Sequence, residues 1–336
     1  MRKFDAEKYL GEGEKAYSQR ENVEKLADDL TKRGFDNIVV IGIGGTYDIW
    51  HPVVHVMRHH TDLPIYLENA AELIIKKDKN YLTKNSLVVT ASASGDTKEI
   101  LEVVDMCRDM HIDVAGFTKS KENELGKRLD YCILSPNGDC ENSYMLFFML
   151  MLRILFNRGE FKNYQKFADQ MKVLHKNLLR IREEFEPRAI DIAQKYAKEP
   201  YSIFVSSGAL WGETVLYSMC ILEEEQWKRT RAVSSADFFH GTLELVEPGV
   251  PVFLFKGEDE YRQLDERVER FCTKFTDKFV VLDVREFNFE GIDDEFRVIC
   301  SPMILTALFT DRVATNYELV TGHSLEFRRY YRQIEY

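Results

Sequence analysis

Two loops carry residues whose types and spacing suit the binding of a phosphate monoester. The first, Gly44-Gly45-Thr46, closes the apolar run "NIVVIGI" (Asn37–Ile43). The second, Ser92-Ala93-Ser94-Gly95-Asp96-Thr97, closes "SLVVTAS" and places three hydroxyls around one glycine. Glycine lets backbone approach a ligand closely, and hydroxyls are freely rotating neutral donors. A helix beginning after each loop would add unpaired N–H groups and a positive dipole end. No lysine is required. Helix capping by a serine-rich turn is the structural alternative, and its recurrence at two strand ends weighs against it. A nucleotide site is disfavoured: there is no GxxxxGK[ST], and "GIGGTYD" has no glycine at the last position of GxGxxG.

A second group of residues suits proton transfer. Glu223-Glu224-Glu225 ends an apolar stretch, and His240 lies in "ADFFHGTLELVEPGVP" (Ala236–Pro251). At about 100° per residue three consecutive carboxylates cannot share one environment. Val215, Leu216, Met219, Cys220 and Leu222 define an inward face, which puts Glu223 nearest its centre, Glu224 on its flank and Glu225 opposite. A solvated acidic helix end is the alternative. His51, His55 and His59 fall at i, i+4 and i+8, but no acidic third ligand follows at HExxH spacing and Pro52 suggests the opening of a helix. Packing is the expectation for these three, with His55 near the first loop, and no metal site is assigned.

These residues must be held by an alternation of strands and helices. "NIVVIGI", "SLVVTAS", "DVAGFT" (Asp113–Thr118) and "YCILSP" (Tyr131–Pro136) are short and apolar on both faces, with helical stretches between. After a charged segment the rhythm restarts with "YSIFVSSG", "RAVSS", "VPVFLF", "FVVLDV" and "FRVICSP" (Phe296–Pro302). The expected fold is α/β, two doubly wound parallel-sheet subdomains joined by a helical linker. The expected boundaries are an N-terminal helical segment over 1–30, a first subdomain over 31–160, the linker over 161–198, a second subdomain over 199–320 and a tail over 321–336. In an open parallel sheet ligands lie beyond the carboxyl ends of the strands, where both loops fall.

Composition narrows the function classes. The net charge of −11 leaves no basic excess for nucleic acid. Six scattered cysteines without a CxxC pair read as reduced core thiols. The densest apolar stretch, "SYMLFFMLMLRILF", has the length of a buried helix and is interrupted by Arg153, so no membrane span is expected. The charged N-terminus lacks the core of a signal peptide, which makes a cytoplasmic location the expectation.

The loop Ser92, Ser94, Gly95, Thr97 resembles the Ser-x-Ser-Gly-x-Thr phosphate loop of the sugar isomerase (SIS) domain, and Gly44, Gly45 and Thr46 stand at its first loop. In the isomerase domains of glucosamine-6-phosphate synthase type, and in the related Amadori-sugar deglycases, a catalytic glutamate precedes a catalytic His-Gly by sixteen residues. Here that relation joins His240-Gly241 to Glu224. The resemblance implies Glu224 where the helical period points to Glu223. "HGTLELVEPGVPVFLF" and "EFRRYYRQIEY" are most similar to the fructoselysine-6-phosphate deglycases. The aminated-sugar isomerases have a lysine where Ile221 stands and a ring-opening lysine near the C-terminus, whereas this chain ends Ile334-Glu335-Tyr336.

The resemblance therefore implies a deglycase that converts a 6-phosphorylated Amadori compound to glucose 6-phosphate and a free amino acid. Glu224 and His240 would be the catalytic residues, and Gly44, Gly45, Thr46, Ser92, Ser94, Gly95 and Thr97 the phosphate site. No cofactor is implied. A homodimer is, with the histidine donated by the neighbouring subunit. Deglycases of glucoselysine 6-phosphate or of aspartate-type adducts, a sugar-phosphate isomerase, and a sugar-phosphate-sensing regulatory module are the alternatives. For the amine, Glu326 is a candidate partner of a lysine ε-ammonium, and Arg328 and Arg329 of an α-carboxylate. Solvation of these tail charges is the alternative.

Overall fold

The apolar runs pair into two parallel sheets in a computed structural model that describes residues 1–135 and 140–335. Pro136, at the end of "YCILSP", and Tyr336 lie outside the described residues. Two compact units are present: Glu7–His175, and Met1–Ala6 together with Lys176–Tyr336. The division falls inside the segment 161–198, within a long helix over Leu174–Tyr196.

In the unit Glu7–His175 the strands are β1 (Asn37–Gly42), β2 (Ile65–Asn69), β3 (Ser86–Ala91), β4 (Val114–Thr118) and β5 (Tyr131–Leu134), all parallel in the order β2-β1-β3-β4-β5. All six residues of β3 and all five of β4 are buried, as expected for strands covered by helices on both faces. β2 has no counterpart among the expected strands. It is a half-exposed edge strand after Pro64, and its "IYLEN" lacks the continuous apolar signal of the central strands. The apolar helix Cys140–Asn157 is indeed a core helix, with Phe147 stacked on Trp50 at 4.0 Å between ring centres. Its Arg153 reaches the helix Arg20–Arg33, where Nε donates to Asp28 at 2.8 Å. None of the six cysteines forms a disulfide.

In the other unit β6 (Tyr201–Ser206), β7 (Arg229–Ser234), β8 (Val252–Lys256) and β9 (Phe279–Asp283) form a parallel sheet in the order β7-β6-β8-β9. The expected strand "FRVICSP" is instead helical. It belongs to a continuous helix over Asp294–Thr321, because the apolar run extends through Met303–Phe309, far beyond strand length. Contrary to the sequence reading, this helix is long and apolar enough to cross a membrane, yet 83% of its most apolar window is buried inside the protein. It is a core helix. Arg312 on it is fully buried and donates from Nε to Glu186 at 2.7 Å and from Nη2 to the Arg2 carbonyl at 3.1 Å. Lys3 pairs with Glu318 at 2.7 Å. These bonds tie the first residues of the chain to the unit formed by its second half.

Two π-helical stretches, Tyr217–Glu223 and Thr306–Val313, pack against each other in this unit. A π-helix bonds i to i+5 rather than i+4, so side chains after it are rotated relative to an α-helical wheel.

Candidate active site

Strand order decides which loops meet. In the first sheet the winding direction reverses between β1 and β3, which pair from Asn37↔Ser86 to Ile41↔Thr90. The crevice beyond their carboxyl ends is the ligand position of an open α/β sheet. Gly44-Gly45-Thr46 leaves β1 there and Ser92–Thr97 leaves β3. Thr90 Oγ1 donates to the Ile41 carbonyl at 2.9 Å and ties the two strand ends together.

Each loop opens a helix. The helix Gly45–Arg58 starts within the first loop, with Gly44 in the left-handed region at φ 55°. Its first backbone bond runs from the Asp48 N–H to the Gly44 carbonyl, which leaves the preceding N–H groups at the mouth of the crevice. The helix Lys98–Asp109 follows Thr97, whose side chain does not cap it. The hydroxyls divide by role. Ser92 is buried, accepts from the Gly95 N–H at 3.1 Å and shares a 3.0 Å bond with Thr97 Oγ1, so it organises the loop. Ser94 is exposed and its hydroxyl bonds Asp96, while Thr97 is half-buried.

Asn123 closes the loop from behind, and sequence reasoning missed it. Its Nδ2 donates to Thr118 Oγ1 at 2.6 Å and its Oδ1 accepts from the Gly126 N–H at 2.8 Å, while the Leu125 N–H donates to the Gly95 carbonyl. Its position as N-cap of the helix Glu124–Arg128 is the signal that was available. A Cβ on Gly95 would stand 2.2 Å from the Asn123 side chain, at φ 72°. Gly95→Ala is therefore expected to destabilise this unit by about 1–3 kcal/mol, measured by the shift in its denaturant midpoint.

The second sheet has the same switch, between β6 and β8, but its crevice is filled from within. Asp259 accepts from the Ala209 N–H at 2.7 Å and from the Tyr261 N–H at 3.0 Å. Buried Asp265 accepts from Ser207 Oγ and Ser235 Oγ, each at 2.6 Å, and from the Gly257 N–H at 3.2 Å; burial pushes its carboxyl up to about 6. The donors that would receive an external anion are already bonded to the chain's own carboxylates.

The acidic triplet begins at the last residue of the π-helix Tyr217–Glu223, and this reverses the helical-wheel expectation. Glu223 is exposed and accepts from Thr230 Oγ1, while Glu224 and Glu225 are half-buried. Met219, expected inward, is exposed. Both inner carboxylates meet Arg328 of the C-terminal tail: Nε donates to Glu224 Oε1 at 2.9 Å and Nη2 to Glu225 Oε1 at 2.8 Å. Burial raises the pKa of Glu224 and pushes that of Glu225 up to about 7, against the lowering by Arg328. Glu224 forms part of the wall of a cleft of about 650 Å3, together with Trp227, Arg229, Arg329, Tyr330 and Tyr331. The sequence offers Arg328 to a substrate carboxylate; the structure engages it with the triplet instead. The complementary charges of "EEE" and "FRRYYR" are the only trace of this pairing in the sequence.

His240 ends a 3-10 turn over Phe238–His240. Phe238 buries this turn in the core of its sheet, packed edge-on to Phe239 and Phe271. The imidazole itself is exposed and makes no hydrogen bond or ion pair among the described residues, including none to Glu224. His51, His55 and His59 lie on or at the end of the helix Gly45–Arg58. Burial lowers His51 to about 4, so it is neutral at neutral pH, and it packs edge-on to Tyr47. The His55 and His59 rings lie 4.7 Å apart.

The pattern of the SIS domain family matches residues 31–157. This stretch is a SIS domain. It contains both phosphate-type loops and the entire five-stranded sheet. Over most of its length the chain is similar to further proteins. It is 27% identical to the fructosamine deglycase of Bacillus subtilis, over 94% of this chain and 97% of that protein. It is 24% identical to the fructoselysine 6-phosphate deglycase of Escherichia coli, over 79% of this chain and 78% of that one. A crystal structure of a candidate phosphosugar isomerase from Bacillus subtilis superposes with a TM-score of 0.87 at 26% identity, covering 96% of this chain and all of the other. The C-terminal domain of the glucosamine-fructose-6-phosphate aminotransferase of Francisella tularensis shares the fold, with a TM-score of 0.79 at 15% identity over 94% and 96% of the two chains. Within the SIS domain, Ser92 holds the loop through Gly95 and Thr97, and Ser94 is exposed and bonded to Asp96.

Proposed function

We propose that this protein is a deglycase acting on a 6-phosphorylated Amadori compound, releasing glucose 6-phosphate and a free amino acid. The observation that carries this reading is Glu224: a half-buried carboxylate in a cleft, held by Arg328 and raised in pKa, in a chain that also contains a SIS domain. Similarity to two deglycases supports the same reaction class.

Deglycation needs only proton transfers and one hydration. Once the sugar ring has opened to the C2 ketone, Glu224 removes a proton from C1 and an enaminol forms. Return of the proton to C2 leaves a C1 aldimine to the amine. Water adds at C1, the C–N bond breaks, and the aldehyde of glucose 6-phosphate and the amine depart. A well-placed acid or base is worth about 100- to 10,000-fold. A carboxylate with a raised pKa suits this cycle, because it must both accept and return a proton near neutrality. Binding of the phosphate supplies energy remote from the reacting carbons. No metal or redox cofactor is required by these steps.

His240 is assigned to ring opening as acid and base. Its exposed, unpaired imidazole on a firmly packed turn is suited to act on a neighbouring subunit, and a homodimer with the active site at the subunit interface is part of the proposal. The decisive experiment follows glucose 6-phosphate release from 6-phosphofructoselysine with a coupled dehydrogenase, beside the unphosphorylated compound. Turnover of the phosphorylated substrate alone is expected. Turnover of both would remove the SIS crevice from the mechanism. Turnover of neither, with sugar phosphates still binding, would favour a regulatory module.

A further inference from the structure

The cleft beside Glu224 contains more positive charge than the protein uses. Three charged side chains on its wall are already committed. Glu224 is held by Arg328, and Glu223 accepts from Thr230. The Lys228 ammonium donates to the backbone carbonyls of Ala197 at 2.9 Å and Glu199 at 2.7 Å. Two guanidiniums remain. Arg229, the first residue of β7, and Arg329 of the tail have no carboxylate partner among the described residues. Arg329 lies over the indole of Trp227, its guanidinium carbon 4.2 Å from the ring centre.

This is the arrangement of a carboxylate subsite. A guanidinium over an indole face is held there by cation–π attraction, which leaves its N–H groups available to a further partner. Those groups match a carboxylate by two parallel hydrogen bonds. Tyr330 and Tyr331 add aromatic surface for a hydrocarbon stem. With the proton-transferring carboxylate on the same wall, a substrate whose C1 meets Glu224 would extend its amine portion along this cleft.

Resting on the deglycase reading above, we infer that Arg229 and Arg329 form the subsite for the carboxylate of the departing amino acid, so that the enzyme selects glycated amino acids over glycated amines. Arg328, although adjacent in sequence, is excluded from this role by its bonds to Glu224 and Glu225.

The test compares two adducts of fructose 6-phosphate that differ only in the carboxylate, one with the ε-amine of lysine and one with cadaverine. The wild-type kcat/KM is expected to favour the lysine adduct by about 10- to 100-fold, the range of charge-assisted hydrogen bonds. In Arg329→Gln and in the Arg229→Gln, Arg329→Gln double variant the preference should collapse towards one, and Arg329→Lys should keep an intermediate preference. Equal wild-type rates on both adducts, or a preference that survives the double substitution, would overturn the subsite. Calorimetric affinities of both adducts for Glu224→Gln, with and without the arginine substitutions, separate the subsite from the chemistry. If neither adduct is turned over, the deglycase reading fails, and the binding arm alone decides: a carboxylate preference abolished by the double substitution keeps the subsite, and equal affinities remove it.

Discussion

Glu224→Gln is expected to lower kcat by about 100- to 10,000-fold while substrate affinity changes by only a few-fold. Glutamine keeps an oxygen that can accept from Arg328 Nε, at the position where Glu224 Oε1 now lies 2.9 Å away, so the tail contact and the cleft survive. What is lost is the group that carries a proton between C1 and C2. Glu223→Gln is the matching control, because Glu223 is exposed and engaged only with Thr230. It should retain activity within a few-fold. The coupled glucose 6-phosphate assay gives kcat for all three proteins, and calorimetry gives the affinity of the unreacted substrate. If Glu223→Gln abolished turnover and Glu224→Gln did not, the proton carrier would be misassigned by one residue.

Arg328→Met is expected to change the pH dependence of the reaction, which separates positioning from mere packing. Burial raises both Glu224 and Glu225, and Arg328 opposes that rise at each. Removing the guanidinium therefore moves both carboxyls further up, with Glu225 starting from about 7. A base must be ionised to act, so activity is lost as pH falls through its pKa. The acidic limb of kcat/KM should shift to higher pH by about one unit or more. At neutral pH the rate should drop about 10- to 100-fold and recover in part under alkaline conditions. Arg328→Lys, with one charge and no fork, should lie between. Arg328 also donates to the Leu325 carbonyl at 2.7 Å and the Phe327 carbonyl at 3.0 Å, so it orders the tail as well. A purely structural role would lower the whole profile without displacing its limb.

Much of the fold was legible because it is written in near neighbours. β1, β3, β4, β6, β8 and β9 are short β-branched or aromatic runs punctuated by glycine, proline and polar turns, and each was placed to within a few residues. The phosphate-type loops were legible for the same reason, since small hydroxyls and glycine after a buried run carry their own chemistry. Two errors show the limit of local pattern. "FRVICSP" satisfies a strand within six or seven residues, and only the continued apolar run to Phe309 marks it as helix. The acidic triplet was ordered on an α-helical wheel, whereas a π-helix over Tyr217–Glu223 rotates the side chains at its C-terminal end, so that Glu223 is exposed and its two successors are turned inward.

The sequence by itself determined the alternation of strands and helices and the two hydroxyl- and glycine-bearing strand ends, whereas Glu224 and His240 were candidates only through the family resemblance. Those features depend on residues a few positions apart, whose periodicity and turn chemistry act before any long-range contact forms. The tertiary structure decided that the second strand end is closed by the chain itself, because Asp259 bonds the backbone of Ala209, 50 residues away. It also decided the electrostatic state of the carboxylates, since Arg328 reaches Glu224 across 104 residues of chain. A charge pair at that separation has no local periodicity to announce it. It exists only once the tail has packed beside the cleft, and its effect on a pKa depends on a burial that no single segment possesses alone.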